Sequence, residues 1–225
     1  MVRFGAVVRG SAWLGEVIQL SRPFDKEKLE AAEAWTREHF QFLPVKLPQP
    51  ADLLRLHELA EGLALHIQDE HASLPGQIWI VCSAAERPLV VLTRWDNPKN
   101  RAHVLNLMHG FINEPAFEVT RYAVMSEGYS VVITPMDGET IETAKKRRDA
   151  SRPARYVDDP ESIEVLWILC TDRKGEKRGS SFHVTRDPQK GDSAPPVSRV
   201  RQTHTDVGNY GGDLISMFDE ADDDV

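Results

Sequence analysis

Three short stretches of this chain are apolar at nearly every position: Gln77 to Cys82, Leu89 to Trp95 and Ile163 to Cys170. A fourth, 119 to 126, is apolar from Tyr122 to Met125. Each is too short for an ordinary helix and rich in β-branched or aromatic residues, so each reads as a β-strand. A strand with one wet face alternates apolar with polar residues; these do not, so both faces are covered and the four belong at the centre of a sheet. The four runs are expected to lie together, with Trp79, Val91, Val124 and Leu166 largely buried.

The connections decide how that sheet is wound. Ala85-Glu86-Arg87-Pro88 after the first run and Asp172-Arg173-Lys174-Gly175-Glu176 after the last have the composition of hairpin loops, which makes the strands on either side antiparallel. Phe117 to Glu127 and Tyr129 to Ile133 read as strand-like runs parted at Gly128, and Ser181 to Arg186 as a return strand. Residues 2 to 20 fit strand or helix equally. Helical spacing is clear three times. Asp25 opens a helix carrying Leu29, Ala32, Trp35 and Phe40 that must stop before Pro44. After Pro50, Leu53, Leu56, Ala60, Ala64 and Ile67 recur at three and four until Pro75-Gly76. Pro98 to Phe111 carries Ala102, Leu105 and Met108, with Ile112 just beyond, on one face. The fold class is α+β: a mostly antiparallel sheet of five or more strands with three helices packed on it, a single domain over residues 1–187. Residues 135 to 161 read as a long surface connection. Residues 188–225 read as a flexible extension ending in a disordered acidic C-terminal tail.

With 225 residues, 41% of them hydrophobic, the chain can build such a core without disulfides. Cys82 and Cys170 lie inside apolar strand runs and suit reduced core thiols. No run of eighteen apolar residues exists and no apolar core long enough for a signal peptide follows Arg3 and Arg9, so no membrane association and a cytoplasmic location are expected. Charge is uneven. Residues 145–201 hold 14 basic and 9 acidic side chains, a balance of +5, while 202–225 hold 7 acids and no Lys or Arg.

Arg121-Tyr122-Ala123-Val124-Met125-Ser126-Glu127-Gly128-Tyr129, followed by Asp158-Asp159-Pro160-Glu161-Ser162-Ile163-Glu164-Val165-Leu166, resembles uncharacterised small α/β proteins of bacteria and phages. In those a strand ends in Ser-Glu-Ala and an aromatic residue, and an Asp-Pro-x-x-x-Glu-Val segment starts the next. The likeness spans residues 77 to 187, with Gly128 in place of Ala. It implies a fold shared across mobile genomes and brings no activity with it.

Catalytic motifs are sparse. Ser126-Glu127 is the best candidate, since a carboxylate held at a strand break could act as a general base, but no partner for it is visible. Pairing of Glu127 with Arg94, Arg121 or backbone amides is the structural alternative. His66 and Glu70 share a helix face, whereas His71 lies about 140° further round, which does not present two histidines to zinc. His103 and His109 are about 240° apart on their helix. No serine elbow or phosphate-binding glycine loop exists. No catalytic residue, metal site or cofactor is assigned.

The binding candidates are two. Lys145, Lys146, Arg147 and Arg148 could neutralise phosphates, with nucleic acid as partner and the acidic tail as an intramolecular competitor across the basic segment 145–201. At the C-terminus, Leu214, Ile215, Met217 and Phe218 form an apolar plug continued by Asp219 and Glu220, a chemistry expected to stay out of the core. It suits a host protein with an apolar, basic-rimmed groove. Leu214-Ile215-Ser216-Met217-Phe218 resembles the short peptides that dock on the bacterial replicative sliding clamp, with Leu214 where those have Gln. The leading expectation is a non-enzymatic interaction protein of phage or mobile-element type that presents this peptide, possible host partners including the replication machinery.

Overall fold

The computed structural model describes residues 34–84, 87–95, 97–131, 135–151, 162–187, 189–190, 194–203 and 217–218. The expectations for residues 2 to 33 lie outside that set. Seven strands form one sheet: β1 (Phe40–Leu43), β2 (Gln77–Ser83), β3 (Leu89–Thr93), β4 (Val119–Val131), β5 (Ser162–Asp172), β6 (Lys177–Thr185) and β7 (Ser198–Thr203). Their spatial order is β1-β3-β2-β4-β5-β6-β7 and every neighbouring pair is antiparallel. With α1 (Leu53–His71), α2 (Pro98–Asn113) and α3 (Ile141–Ser151), this is an α+β fold.

Each face of the sheet has its own helix. Leu53, Leu56, Ala60 and Ala64 of α1 pack on Ile78, Ile80, Met125, Leu166 and Ile168. The small Ala60 and Ala64 let the helix lie close to the strands. On the opposite face Leu105, Met108, Phe111 and Ile112 of α2 pack on Trp79, Val91 and Val124. This is why the central strands are apolar throughout: alternate side chains serve two different cores. Trp79, Val91, Val124 and Leu166 are all buried, and Trp79 sits between Val91 and Val124 in register. The Trp79 Nε1–H donates to Thr93 Oγ1 at 2.9 Å, satisfying the one polar atom of the ring.

The helix starts follow local chemistry. Asp52 accepts the Arg55 N–H at 2.8 Å, and Asn97 accepts those of Lys99 and Asn100 ahead of a first-turn Pro98. Helix α1 stops four residues before Pro75. Ala72, at φ 67°, returns its N–H to the Gln68 carbonyl, the left-handed cap more often given to glycine.

Five local expectations are corrected. The helix expected to run to Phe40 ends at 39, and Phe40–Leu43 pairs with β3. Its alternating Phe40 and Phe42 reach the ring of Phe111, and the free edge of β3 supplies hydrogen bonds that a last helical turn before Pro44 would lack. Ala102, expected on the buried face of α2, is exposed, and Val104 takes its place in the core. Strand β4 is not broken at Gly128. A Cβ there would come within 2.9 Å of the Trp167 ring on β5, so the glycine admits an aromatic neighbour instead of ending the strand.

The surface connection at 135–161 contains α3. Thr140 caps it by accepting the Thr143 N–H, and Ala144 is its buried contact. Finally, Ser198–Thr203, within the stretch expected as an extension, is β7. Its alternating arginines reach back over α1: Arg199 binds Gln68 and Asp69, and Arg201 binds Glu61. A charged strand of this kind belongs at a sheet edge.

Candidate functional site

Met217 and Phe218 do not stand in solvent. Met217 is buried in the α2 face of the core. Its N–H meets the Tyr122 hydroxyl at 3.1 Å, and its carbonyl accepts the Asn113 Nδ2–H at 2.6 Å. The Phe218 ring lies 5.3 Å from that of Tyr122, with the Arg173 guanidinium 4.8 Å from its centroid. This corrects the expectation that the plug stays out of a core. The chain itself supplies the apolar floor and the basic rim, built from the end of α2, the start of β4 around Tyr122 and the β5–β6 turn. Leu214, Ile215, Asp219 and Glu220 lie outside the described residues.

That turn is fixed by Asp172, whose carboxylate accepts the N–H groups of Lys174 and Glu176, and by Gly175 at φ 82°. Arg173 is thereby aimed inward, donating from Nε to the Val119 carbonyl at 2.6 Å and from Nη2 to the Ile112 carbonyl at 3.2 Å. Burial pushes the Tyr122 hydroxyl well above its ordinary pKa, so it remains a neutral phenol at the centre of this face.

No family model, curated protein or solved structure matches this chain.

Glu127 is held by neither Arg94 nor Arg121. Gln68 Nε2 donates to its Oε1 at 2.5 Å and the Leu74 N–H to its Oε2 at 3.0 Å. Gln68 is buried and its own carbonyl accepts Arg199 Nε at 2.6 Å. Burial raises the Glu127 pKa, and the bonds from Gln68 and Leu74 oppose that rise. Beside it Arg186 grips Glu164 with two nitrogens and donates to the carbonyls of Ala72 and Ala194. These groups fasten the end of α1 to β4, β5 and β7. Both Glu127 oxygens already accept protein donors, so the carboxylate acts as a brace.

Neither His66 nor His103 bonds to Glu127. His66 is exposed and pairs with Glu70 at 3.4 Å, while His103 meets the edge of Trp35. Among the described residues no group of three or more His, Cys, Asp or Glu is placed to hold a metal ion.

One polar cluster escaped the sequence reading. His57 Nε2 lies 3.0 Å from Ser180 Oγ, and that hydroxyl donates to Glu61 at 3.1 Å. Both His57 and Ser180 are buried, and burial lowers the His57 pKa. With the serine proton directed at Glu61, the histidine must donate to the oxygen, the reverse of the polarity that activates a nucleophile. His57 and Glu61 are one helical turn apart, a visible pairing; their partner on β6 is 119 residues from Glu61 and has no local signal.

The basic run lies on α3. Lys145, Lys146 and Arg147 are exposed and Arg148 is partly covered. Arg147 is held by both oxygens of Glu139 at 3.0 and 3.1 Å, so the run does not present four equivalent cations. No helix of the described residues is long and apolar enough to cross a membrane.

Proposed function

We propose that this chain is a non-enzymatic interaction protein of phage or mobile-element type, whose α+β domain presents its C-terminal apolar-acidic peptide to a host protein. The observation that carries this reading is the way Met217 and Phe218 are held. One anchor is buried, an aromatic ring is flanked by a guanidinium, and main-chain groups are met by side chains. Short peptide motifs are bound in this manner. The plug is thus matched to a groove with an apolar floor and a cationic rim, and a partner offering a better one would draw it out. Asp219, Glu220 and the acids after them would then meet the partner's basic rim, accelerating encounter more than tightening the complex. The clamp-like order of residues 214–218 directs the first search to replication proteins.

The test uses the full-length protein and its Met217→Ala/Phe218→Ala form as baits in a bacterial lysate. Captured proteins are then titrated as purified components. A partner that loses on the order of tenfold or more in affinity with the double substitution supports the reading. Partners bound equally by both forms, or by a chain ending at Gly212, overturn it.

A further inference from the structure

We infer that Asn113, Tyr122 and Arg173 form a peptide-binding socket, and that the chain's C-terminus is its resident ligand, exchangeable with the same segment of a second copy. The ligand class is a short peptide with an unbranched aliphatic residue followed by an aromatic one.

The socket is held by the domain itself. Arg173 is fixed by the carbonyls of Val119 and Ile112, and Asn113 Nδ2 also donates to the His109 carbonyl at 3.0 Å. Tyr122 lies near the start of β4, paired with Val81 of β2 on one side and Thr171 of β5 on the other. All three are therefore positioned by the domain and not by the peptide, so little ordering is required when a peptide arrives. The peptide side shows no reliance on a strand edge: the Met217 N–H and carbonyl are both read by side chains. A second chain can satisfy such a contact as well as the first.

Reach permits both routes. Thr203 pairs with Ser180, Ser180 with Ile168 and Ile168 with Met125, three residues from Tyr122. At about 4.8 Å per strand spacing and 3.4 Å per residue, Thr203 and Tyr122 are roughly 17 Å apart. The thirteen residues 204–216 can span more than 40 Å at about 3.4 Å each. The tail is thus tethered near its own socket, at an effective concentration on the order of millimolar. A peptide from a second molecule must compete with that. The inference stands whether or not the tail also meets a host protein.

The probe is a fluorescein-labelled peptide of residues 213–225, titrated by anisotropy against the full chain and against its Met217→Ala/Phe218→Ala form. The substituted chain should bind the peptide at least fivefold more tightly than the wild type. Adding Tyr122→Phe or Asn113→Ala should weaken that binding several-fold, and a scrambled peptide should not bind. Equal binding to both chains, or none to the substituted chain, overturns the socket. Should the double substitution impair folding, a wild-type chain labelled at its last residue serves instead. Excess unlabelled peptide should lower its anisotropy, and no change up to millimolar peptide overturns the inference.

Discussion

Met217→Ala separates a docked segment from a permanent part of the core. Burying a methionine side chain contributes about 1.5–3 kcal/mol, and the two bonds to Tyr122 and Asn113 about 1 kcal/mol each. The ring and guanidinium contacts of Phe218 add about 1–2 kcal/mol together, giving a gross gain of roughly 4.5–7 kcal/mol, about 6 at mid-range. Against this, fixing the backbone of two residues costs about 1–2 kcal/mol each and their side chains about 1–2 kcal/mol more. A net docking free energy of about 1–2 kcal/mol follows.

That sum sets a ceiling. Once the anchor is cut back, the segment can leave, so Met217→Ala cannot cost more than the docking energy. Met108 lies in the same cluster, but on α2, where it cannot leave, and Met108→Ala should cost about 2–5 kcal/mol. Urea unfolding is the assay: Met217→Ala should lower the midpoint no further than a chain ending at Gly212 does, with an unchanged slope. If Met217→Ala is as damaging as Met108→Ala, the segment is a permanent part of the core and not a docked one.

Glycine substitutions should have opposite signs at two positions. A Cβ at Gly76 would lie 2.5 Å from the Thr93 carbonyl oxygen, so Gly76→Ala should destabilise by about 1–3 kcal/mol, whereas Gly62→Ala on the open face of α1 should stabilise by about 0.5–1 kcal/mol in the same unfolding assay. Glu127 has a raised folded pKa, so its contribution to stability is full below the unfolded carboxylate range and is lost as pH rises through the raised value. Relative to Glu127→Gln, the wild type should therefore weaken across that interval, and parallel pH–stability curves would contradict the burial argument. Lys145→Ala/Lys146→Ala should flatten the salt dependence of any low-salt DNA binding by about two in log–log slope; a slope left unchanged in a titration at several salt concentrations would remove α3 as the contact.

The architecture was legible where a single short stretch carries its own signal. Uniform apolarity marked β2, β3 and β5, helical spacing marked α1 and α2, and the turn at Asp172 marked the β5–β6 hairpin. What escaped depends on contacts between distant residues. Thr140 and Ala144 look ordinary until a cap and a packing surface are supplied, so α3 disappeared behind its lysines and arginines. Strand β7 reads as Ser-Arg-Val-Arg-Gln-Thr, polar enough for a linker, and becomes a strand because Asp69 and Glu61 on α1 await its arginines. Gly128 signalled a break because glycine is poor in strands, yet its partner Trp167 is 39 positions away. The apolar plug stood out by its composition, but the residues that hold Met217 and Phe218, namely Asn113, Tyr122 and Arg173, come from a helix, a strand and a turn that meet only in the fold.

The same contacts change the meaning of the positive balance over residues 145–201. As a sequence it looks like a phosphate-binding stripe opposed by an acidic tail. In the fold, Arg147 is held by Glu139, Arg178 by Glu176, Arg186 by Glu164, Arg199 by Asp69 and Arg201 by Glu61, while Arg173 bonds two carbonyls and faces Phe218. Four of these, Arg173, Arg186, Arg199 and Arg201, tie strand or turn to distant elements, so removing one would loosen the domain before it altered a charged surface. A test of electrostatic attraction must therefore neutralise Lys145 and Lys146, which the fold leaves exposed, and not the arginines of the sheet. By the same reasoning Arg173→Ala has two effects that can be told apart. It removes the cation facing Phe218 and frees the Val119 and Ile112 carbonyls, whereas Arg173→Lys keeps a charge without the fork that reaches both. If the socket depends on Arg173 as a fixed wall, Lys should fail to rescue peptide binding; full rescue by Lys would mean that charge alone attracts the tail.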